Sequence, residues 1–287
     1  MSQAGEPPAQ RIERLERELR LARAELDDFT RAASHDLRAP LRHLRAYAQI
    51  LREDLSGPQL ELALPHLDRI SEAAVLMGRQ IDGLMRLAHV GQASLQPVPL
   101  DVAALAQAVY TELRRGPGPD AADGPQARAI DWQVAPDMPW LLADAVLLRE
   151  ALTELLANAL KFSRPQAQAS IRLHCQEEGG QCALTLADNG VGFNPAYQAR
   201  LFQPFSRLHS GAAFEGLGLG LAITRKIIER HGGRIEASSE PDGGCRVSVR
   251  LPLASMWPPW RSMILRAMAK PRPRPSKATP LCRREKG

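Results

Sequence analysis

Three glycines at alternate positions form the most suggestive chemical pattern in this chain of 287 residues. They are Gly216, Gly218 and Gly220, and they lead directly into a predicted helix over 219–231. Backbone amides in a glycine-rich turn, together with the unpaired amides of a helix N-terminus, can bind a phosphate group. The pattern matches neither the Walker motif nor the dinucleotide-binding motif, so alone it indicates only an anion site.

A second group of polar residues lies on a predicted helix over 145–162. Glu154, Asn158 and Lys161 are spaced by four and then three residues, which places them on one helical face. The carboxamide oxygen of Asn158 is a suitable Mg²⁺ ligand. Lys161, one turn further on, can neutralise phosphate charge. The polar face of an ordinary amphipathic helix would explain the same spacing equally well.

A third segment, Asp188-Asn189-Gly190-Val191-Gly192, follows a predicted strand directly. A buried aspartate in this position can accept a hydrogen bond from the amino group of adenine, which distinguishes adenine from guanine. Gly190 and Gly192 would let the backbone approach a base closely. The alternative is a plain turn, which the same letters form in many proteins.

The segment Ser34-His35-Asp36 offers a nucleophile in a helical context. Ala33 and Leu37 fall on the apolar seam of the predicted helix, so His35 faces solvent, where it can attack a phosphoryl group. Asp36 can hold the imidazole tautomer and take up its proton. Pro40 removes one helical backbone donor and allows a bend there. A solvated surface histidine remains the alternative when the segment is taken alone.

The elements around His35 predict a dimerising helical hairpin. A heptad seam of about three repeats predicts a coiled coil, although a single amphipathic helix is the alternative. Its members are Ile12, Leu15, Leu19, Ala22, Leu26, Phe29 and Ala33. The helix continues to about Leu51, breaks at Ser56-Gly57-Pro58, and is followed by a second helix over 60–90. One hairpin buries its apolar stripe poorly, so a homodimer closing a four-helix bundle is expected.

The remaining body alternates strands and helices, which predicts a layered α+β domain. Helices are predicted over 102–115, 145–162 and 219–231. Strands are predicted over 130–134, 140–142, 169–176, 181–187, 234–238 and 246–251. The first nine residues and the segment after Leu253, which carries six prolines, are predicted to be disordered.

Composition restricts the class of protein. No apolar run approaches the roughly 20 residues of a membrane span, and the N-terminus lacks a secretory signal, so we expect a cytoplasmic protein. The net charge of +5 comes from the tail, because 254–287 carries nine Lys/Arg and one acid. Cys175, Cys182, Cys245 and Cys282 form no CxxC pair, and we expect four reduced thiols.

In their order along the chain, these segments resemble those of the sensor histidine kinases of two-component systems. The string from Phe29 through Ser34-His35-Asp36-Leu37-Arg38-Ala39-Pro40-Leu41 resembles the HisKA phosphoacceptor box of phytochrome-like members. The segments around Asn158, Asp188, Phe202-Gln203-Pro204-Phe205 and Gly216–220 resemble the N, G1, F and G2 boxes of the HATPase_c domain.

The resemblance implies an α+β fold in two parts. Residues 10–95 would form the coiled coil and the helical-hairpin dimerisation and phosphotransfer domain, a four-helix bundle in the dimer. Residues 96–253 would form an α/β-sandwich ATPase domain of the gyrase-like (GHKL/Bergerat) type. Residues 1–9 and 254–287 would be disordered.

The resemblance also implies roles for individual residues. His35 would be phosphorylated with help from Asp36, and the phosphoryl group would pass to the receiver domain of a response regulator. Asp188 would bind the adenine of ATP together with Gly190 and Gly192. Asn158 would hold Mg²⁺. Lys161 and the Gly216–Gly218–Gly220 loop would bind the phosphates, and 195–215 would form a lid in which Arg207 and His209 are candidate phosphate contacts.

Two positions depart from the usual pattern. Ala39 stands where many members carry a Thr or Asn that positions water, so weak phosphatase activity is expected. Glu154 stands where many members carry a second Asn, and it resembles the gyrase-type glutamate that acts as a base on water.

Three questions stay open at the level of sequence. Only 34 residues precede His35, so the signal would arrive through a separate sensory protein, or the chain is a fragment of a longer sensor. A non-catalytic scaffold is the alternative to a kinase. The basic tail is an alternative site for nucleic acid or an anionic membrane, with an unselected solvated tail as the simpler interpretation.

Overall fold

The computed structural model describes residues 36–92, 94–116, 128–208, 214–239 and 243–254. The predicted coiled coil, His35, His209 and nearly all of both predicted disordered ends lie outside these ranges. Among the described residues, no helix combines the length and the apolar character that a membrane span requires.

Two long antiparallel helices begin the described chain. Helix α1 covers residues 36–54 and continues through Pro40, and helix α2 covers Gly57–Gln92. The predicted break is shorter than expected, because Gly57 adopts a φ of 60° and starts α2 at once. The ion pair between Arg38 and Asp82 joins the two helices across the hairpin.

The apolar stripes of α1 and α2 divide into a buried and an exposed set. Leu41, Ala74 and Ile81 pack against one another and form the small core of the hairpin. Other predicted stripe residues stay exposed in the single chain: Leu37, Leu44, Tyr47, Leu51, Ile70, Met77 and Leu84. An exposed apolar surface of this extent is typical of a region that pairs with another surface.

The second part of the chain contains seven strands and three helices among the described residues. The strands are β1 (Pro97–Asp101), β2 (Ile130–Val134), β3 (Trp140–Asp144), β4 (Ala169–Glu178), β5 (Gln181–Asp188), β6 (Arg234–Ser239) and β7 (Cys245–Pro252). The helices are α3 (Val102–Arg115), α4 (Ala145–Phe162) and α5 (Gly220–Arg230), with a short 3-10 helix at Pro195–Arg200.

Five strands form one sheet in the order β2-β4-β5-β7-β6. Only β2 and β4 are parallel; the other neighbours are antiparallel. Burial alternates along β4, where Ala169, Ile171 and Leu173 face the core. The buried side chains of α3, α4 and α5 pack on that face, with Leu156 of α4 fully buried. The sequence predicts a layered α+β domain, and the structure adds that the sheet is mixed.

Most predicted elements have the expected type, and α3, β2 and α4 have the expected bounds. Strand β1 was not predicted, because Pro97 and Pro99 argue against a strand. It pairs only with β3, in a separate two-stranded sheet, so its prolines lie at an edge where missing donors are tolerated. That pairing also extends β3 to Asp144, beyond the predicted end at 142.

The cysteine expectation needs a correction. Cys175 and Cys182 form a disulfide across the β4–β5 hairpin, with their Cα atoms 5.9 Å apart. The expectation of four reduced thiols is wrong for this pair, because strand pairing brings together two cysteines that are too far apart in sequence for a CxxC motif. Cys245 is free and half-buried, and Cys282 lies outside the described residues.

Candidate functional site

A cavity of about 190 Å³ opens between α4, the end of β5 and the segment before α5. Nine predicted site residues line it: Glu154, Asn158, Lys161, Asp188, Gly192, Arg207, Gly216, Gly218 and Gly220. These residues come from four segments of the sequence, so the fold brings the separate motifs to one place.

Asp188 forms one end of the cavity, where β5 ends. Its Oδ1 accepts hydrogen bonds from the amide of Gly190 at 2.9 Å and from the amide of Cys245 at 3.3 Å. Burial raises the pKa of this carboxyl to about 6, although the two amide donors act in the opposite direction. The carboxyl is therefore a fixed acceptor that is ionised at neutral pH.

Gly190 has a structural role in the turn after β5. It does not line the cavity. A Cβ at this position would lie 2.6 Å from the carbonyl oxygen of Phe162, so only glycine lets the chain pass the end of α4. The neighbouring amide of Val191 donates to the same carbonyl at 3.1 Å, which ties the turn after β5 to α4.

Helix α4 presents the predicted polar face to the cavity. Its N-terminus is fixed by Asp144, whose Oδ1 accepts from the amides of Val146 and Leu147 at 3.0 and 3.1 Å. Near its other end, Lys161 Nζ donates to Asn158 Oδ1 at 2.9 Å. Burial lowers the pKa of Lys161. A desolvated ammonium beside an amide oxygen is a suitable partner for a phosphate group.

The glycine segment lies opposite α4. Gly218 has a φ of 71°, and a Cβ there would lie 2.6 Å from the carbonyl oxygen of Ser206. Gly216 has a φ of 140° and lies beside Lys161 Nζ. Helix α5 begins at Gly220, and no side chain caps its N-terminus. The first amides of α5 are thus available to an anionic ligand.

The segments on either side of 209–213 meet at the mouth of the cavity. Arg207 donates to the carbonyl oxygen of Phe214 at 2.8 Å. Arg164, just beyond α4, forms an ion pair with Glu215 at 2.7 Å. The rings of Phe162 and Phe214 lie 5.0 Å apart. These contacts connect the glycine segment to the end of α4.

Several lining residues were not singled out from sequence. Ser206 adjoins Arg207 and Phe214 adjoins Glu215 in the sequence, and neither gives a signal of its own. Cys245 opens β7 and lines the cavity beside Asp188. Burial, followed by the charge of Asp188, raises the pKa of its thiol to about 12. Only the pairing of β5 with β7 brings Cys245 here, because Asp188 and Cys245 are register partners.

The hairpin contacts the same site from outside. Val90 of α2 packs with Leu147, Ala151, Leu219, Ile223 and Ile227 in one buried cluster. Arg230 donates to the carbonyl oxygen of Val90 at 2.6 Å. Arg86 donates to Glu150 Oε1 at 2.7 Å and to Glu154 Oε1 at 3.1 Å. Helix α2 is therefore seated on α4 and on the start of α5.

The cavity suits a Mg²⁺ ion that shares its ligands with a nucleotide. Asn158 contributes a hard amide oxygen, and Glu154 lies on the same face of α4. Among the described residues no group of three or more His, Cys, Asp or Glu side chains could hold a metal. Mg²⁺ commonly takes one or two protein oxygens and completes its shell with water and phosphate oxygens.

The structure does not test the phosphoacceptor prediction. Asp36 lies exposed on α1 and does not line the cavity. His35 and His209 fall outside the described residues. Their predicted roles therefore stay predictions.

Two family models match the chain in succession. Residues 25–93 match the His Kinase A (phospho-acceptor) domain, and residues 143–255 match the Histidine kinase-, DNA gyrase B-, and HSP90-like ATPase. The first range contains His35 and Asp36, and the second contains every residue of the cavity described above.

Curated relatives agree with both models. The chain is 32% identical over 235 residues to the methanogenesis regulatory histidine kinase FilI of Methanothrix harundinacea, covering 82% of this chain and 25% of that protein. It is 29% identical over 247 residues to the phytochrome-like protein Cph1 of Synechocystis sp., covering 86% of this chain and 32% of that protein. The chain thus spans about a quarter to a third of the length of these relatives.

Solved structures confirm the predicted fold class. Full-length ShkA in complex with AMPPNP superposes with a TM-score of 0.56 at 24% identity, over 79% of this chain and 46% of that chain. The Acinetobacter baumannii histidine kinase AdeS gives a TM-score of 0.50 at 20% identity, over 77% of this chain and 98% of that chain.

Proposed function

Because the chain belongs to the histidine kinase family, we propose that it uses ATP to phosphorylate its own His35. The phosphoryl group would then pass to an aspartate on the receiver domain of a response regulator. We place phosphotransfer and dimerisation in residues 10–95 and ATP binding in residues 96–253.

The observation that supports this proposal best is the shared cavity. Asp188, Asn158, Lys161 and the glycines of 216–220, to which we assign the adenine, the metal ion and the phosphates, all line one cavity. A scaffold that had lost catalysis would have no need to keep Asn158, Lys161 and Asp188 together in this arrangement.

Each residue has a specific task in the proposed reaction. Asp188 accepts from the adenine amino group, and the amides at the start of α5 bind phosphate oxygens. Lys161 and those amides stabilise the charge that develops during transfer. Mg²⁺, when bound at Asn158, would neutralise further phosphate charge.

The transfer step itself uses the hairpin. An imidazole nitrogen of His35 attacks the γ-phosphorus, the bond from that phosphorus to the ADP oxygen breaks, and Asp36 takes up the imidazole proton. Asp36 lies exposed on α1, next to His35 in the sequence. The phosphoramidate formed is a high-energy donor for an aspartate.

The exposed stripe of α1 and α2 supports a homodimer. Seven large apolar side chains of this stripe remain accessible in one chain. A second copy of the same hairpin would cover them and complete a four-helix bundle. We also propose weak phosphatase activity, because Ala39 has no polar atom that could position a water molecule.

Phosphotransfer profiling tests this function. Wild-type protein incubated with labelled ATP should become labelled and pass the label to at least one member of a panel of receiver domains. Lys161→Met should lose the label, since the phosphate partner is gone. Lys226→Met is the matched control, because Lys226 is exposed on α5 and does not line the cavity. Equal labelling of Lys161→Met and Lys226→Met would refute the proposed site.

A further inference from the structure

One ion-pair network joins the hairpin to the wall of the nucleotide cavity. The Arg86 guanidinium donates to Glu150 Oε1 through two nitrogens, at 3.1 and 2.7 Å, and to Glu154 Oε1 at 3.1 Å. Both carboxylates are about three-quarters buried, and Arg86 is half exposed. Glu154 lines the cavity, whereas Glu150 does not. A single arginine on α2 therefore forms ion pairs with two carboxylates of α4.

The second oxygen of Glu154 is also confined. A Cβ at Gly220 would collide with Glu154 Oε2, so this carboxylate oxygen lies directly against the first residue of α5. A carboxylate at this place is favourable beside the positive end of the helix dipole. Glu154 is thus held between Arg86 on one side and the N-terminus of α5 on the other.

The contact is part of a larger interface between α2 and the helices α4 and α5, which we call the seat. A Cβ at Gly83, one turn before Arg86, would collide with the Leu219 side chain, so α2 approaches the glycine segment closely. Arg38 pairs with Asp82 in the same part of the hairpin, and Arg38 follows His35 by three residues in the sequence. Arg86 therefore links two places. One is the part of α2 that lies beside the start of α1, and the other is the wall of the cavity.

We propose that Arg86 is a positioning residue for Glu154: it holds the Glu154 carboxylate while α2 is seated on α4 and α5, and it releases that carboxylate when the ATPase domain leaves α2. This inference rests on the proposed function. It makes the hydrolysis of ATP by water depend on whether the ATPase domain is seated.

The reaction that Arg86 restrains is ordinary hydrolysis. A water oxygen would attack the γ-phosphorus, the bond from that phosphorus to the ADP oxygen would break, and the water proton would pass to the Glu154 carboxylate. The seated carboxylate is held by Arg86 through one oxygen and lies against Gly220 with the other, so it is not free to turn toward a water molecule at the γ-phosphorus. In the seated state ATP is therefore preserved for transfer to His35.

The rate of ATP hydrolysis in a His35→Gln background tests whether Arg86 restrains Glu154. No phosphoryl group can be stored on His35 in that background, so phosphate release reports hydrolysis by water alone. We expect Arg86→Gln to release phosphate about fivefold faster, through kcat and with KM unchanged, the size expected for one partly exposed ion pair. Adding Glu154→Gln should abolish that increase. Adding Glu150→Gln instead should leave it intact, because Glu150 also loses Arg86 but does not line the cavity.

Hydrogen exchange without nucleotide tests the seat independently. Amides of α5 and of residues 83–92 should exchange several-fold faster in Arg86→Gln than in Arg79→Gln. Arg79 is the matched control, since it is exposed on α2 and has no ion pair among the described residues. Arg86→Lys, which keeps one charge, should restore part of the protection.

Three results would overturn the inference. The first is exchange in Arg86→Gln equal to that in Arg79→Gln. The second is unchanged phosphate release in Arg86→Gln. The third is an increase that survives Glu154→Gln. If the wild-type protein fails to bind ATP at all, the proposed function fails, and the exchange experiment still decides whether Arg86 holds the seat.

Discussion

The ionisation of Asp188 should make the affinity for adenosine depend on pH. If the adenine amino group donates to this carboxylate, affinity for adenosine must fall when the carboxylate is protonated. Burial raises the pKa of Asp188 to about 6, well above the usual value of about 3.9. The decrease is therefore expected just below neutral pH, and not only in strong acid.

The magnitude follows from the populations. With a pKa of about 6, the carboxylate is almost fully ionised at pH 8, and only about one tenth of it is ionised at pH 5. If only the ionised form binds, affinity falls by about tenfold between these values. The direction of the change follows directly: adenosine should bind more tightly at pH 8 than at pH 5. The Cys245 thiol, whose pKa is raised to about 12, stays protonated throughout.

Competition of adenosine against a fluorescent ADP analogue, measured from pH 8 to pH 5, checks this prediction. Adenosine is chosen because it carries no phosphate that titrates near pH 6. Asp188→Asn should bind more weakly and show a flat profile. Wild-type affinity that changes by less than twofold over this range would refute the role of Asp188 as an ionised adenine acceptor.

Three further substitutions test the site, the core and the hairpin. Gly218→Ala should lose most ATP affinity in a titration, because its Cβ would meet the Ser206 carbonyl at 2.6 Å, whereas Gly57→Ala shares the left-handed φ, has open space, and should keep that affinity. Leu156→Ala should lower the free energy of unfolding by about 2–5 kcal/mol in urea, because Leu156 is fully buried; a loss under 1 kcal/mol would contradict its place in the core. Ala39→Thr should speed the loss of phosphate from a phosphorylated receiver domain, and an unchanged rate would contradict our explanation of weak phosphatase activity.

The elements were largely predictable because their periodicities are strong. The apolar spacing over 145–162 and the alternation over 169–176 each match a structural element of the same type. Strand β1 was not predictable, since two prolines oppose a strand and only pairing with β3 stabilises it. The Cys175–Cys182 disulfide depends on the register of the β4–β5 hairpin, which the strand pattern alone does not give.

The site was predictable as a set of motifs but not as a set of contacts. The spacing of Glu154, Asn158 and Lys161 required one helical face, and the structure places all three in the cavity. Nothing in the spacing predicted that Lys161 would donate to Asn158 or that Arg86 would reach Glu154. Such contacts depend on how α2, α4 and α5 pack, and a single sequence carries no local signal for this packing.

The central claim, that His35 receives the γ-phosphoryl group of ATP, is tested most directly by the stability of the covalent label. Wild-type protein and His35→Gln are incubated with ATP labelled on the γ-phosphate and then exposed separately to acid and to base. We expect a label on the wild type that is lost in acid and retained in base, and no label on His35→Gln. A label of equal intensity on His35→Gln, or one on the wild type that survives acid, would contradict it.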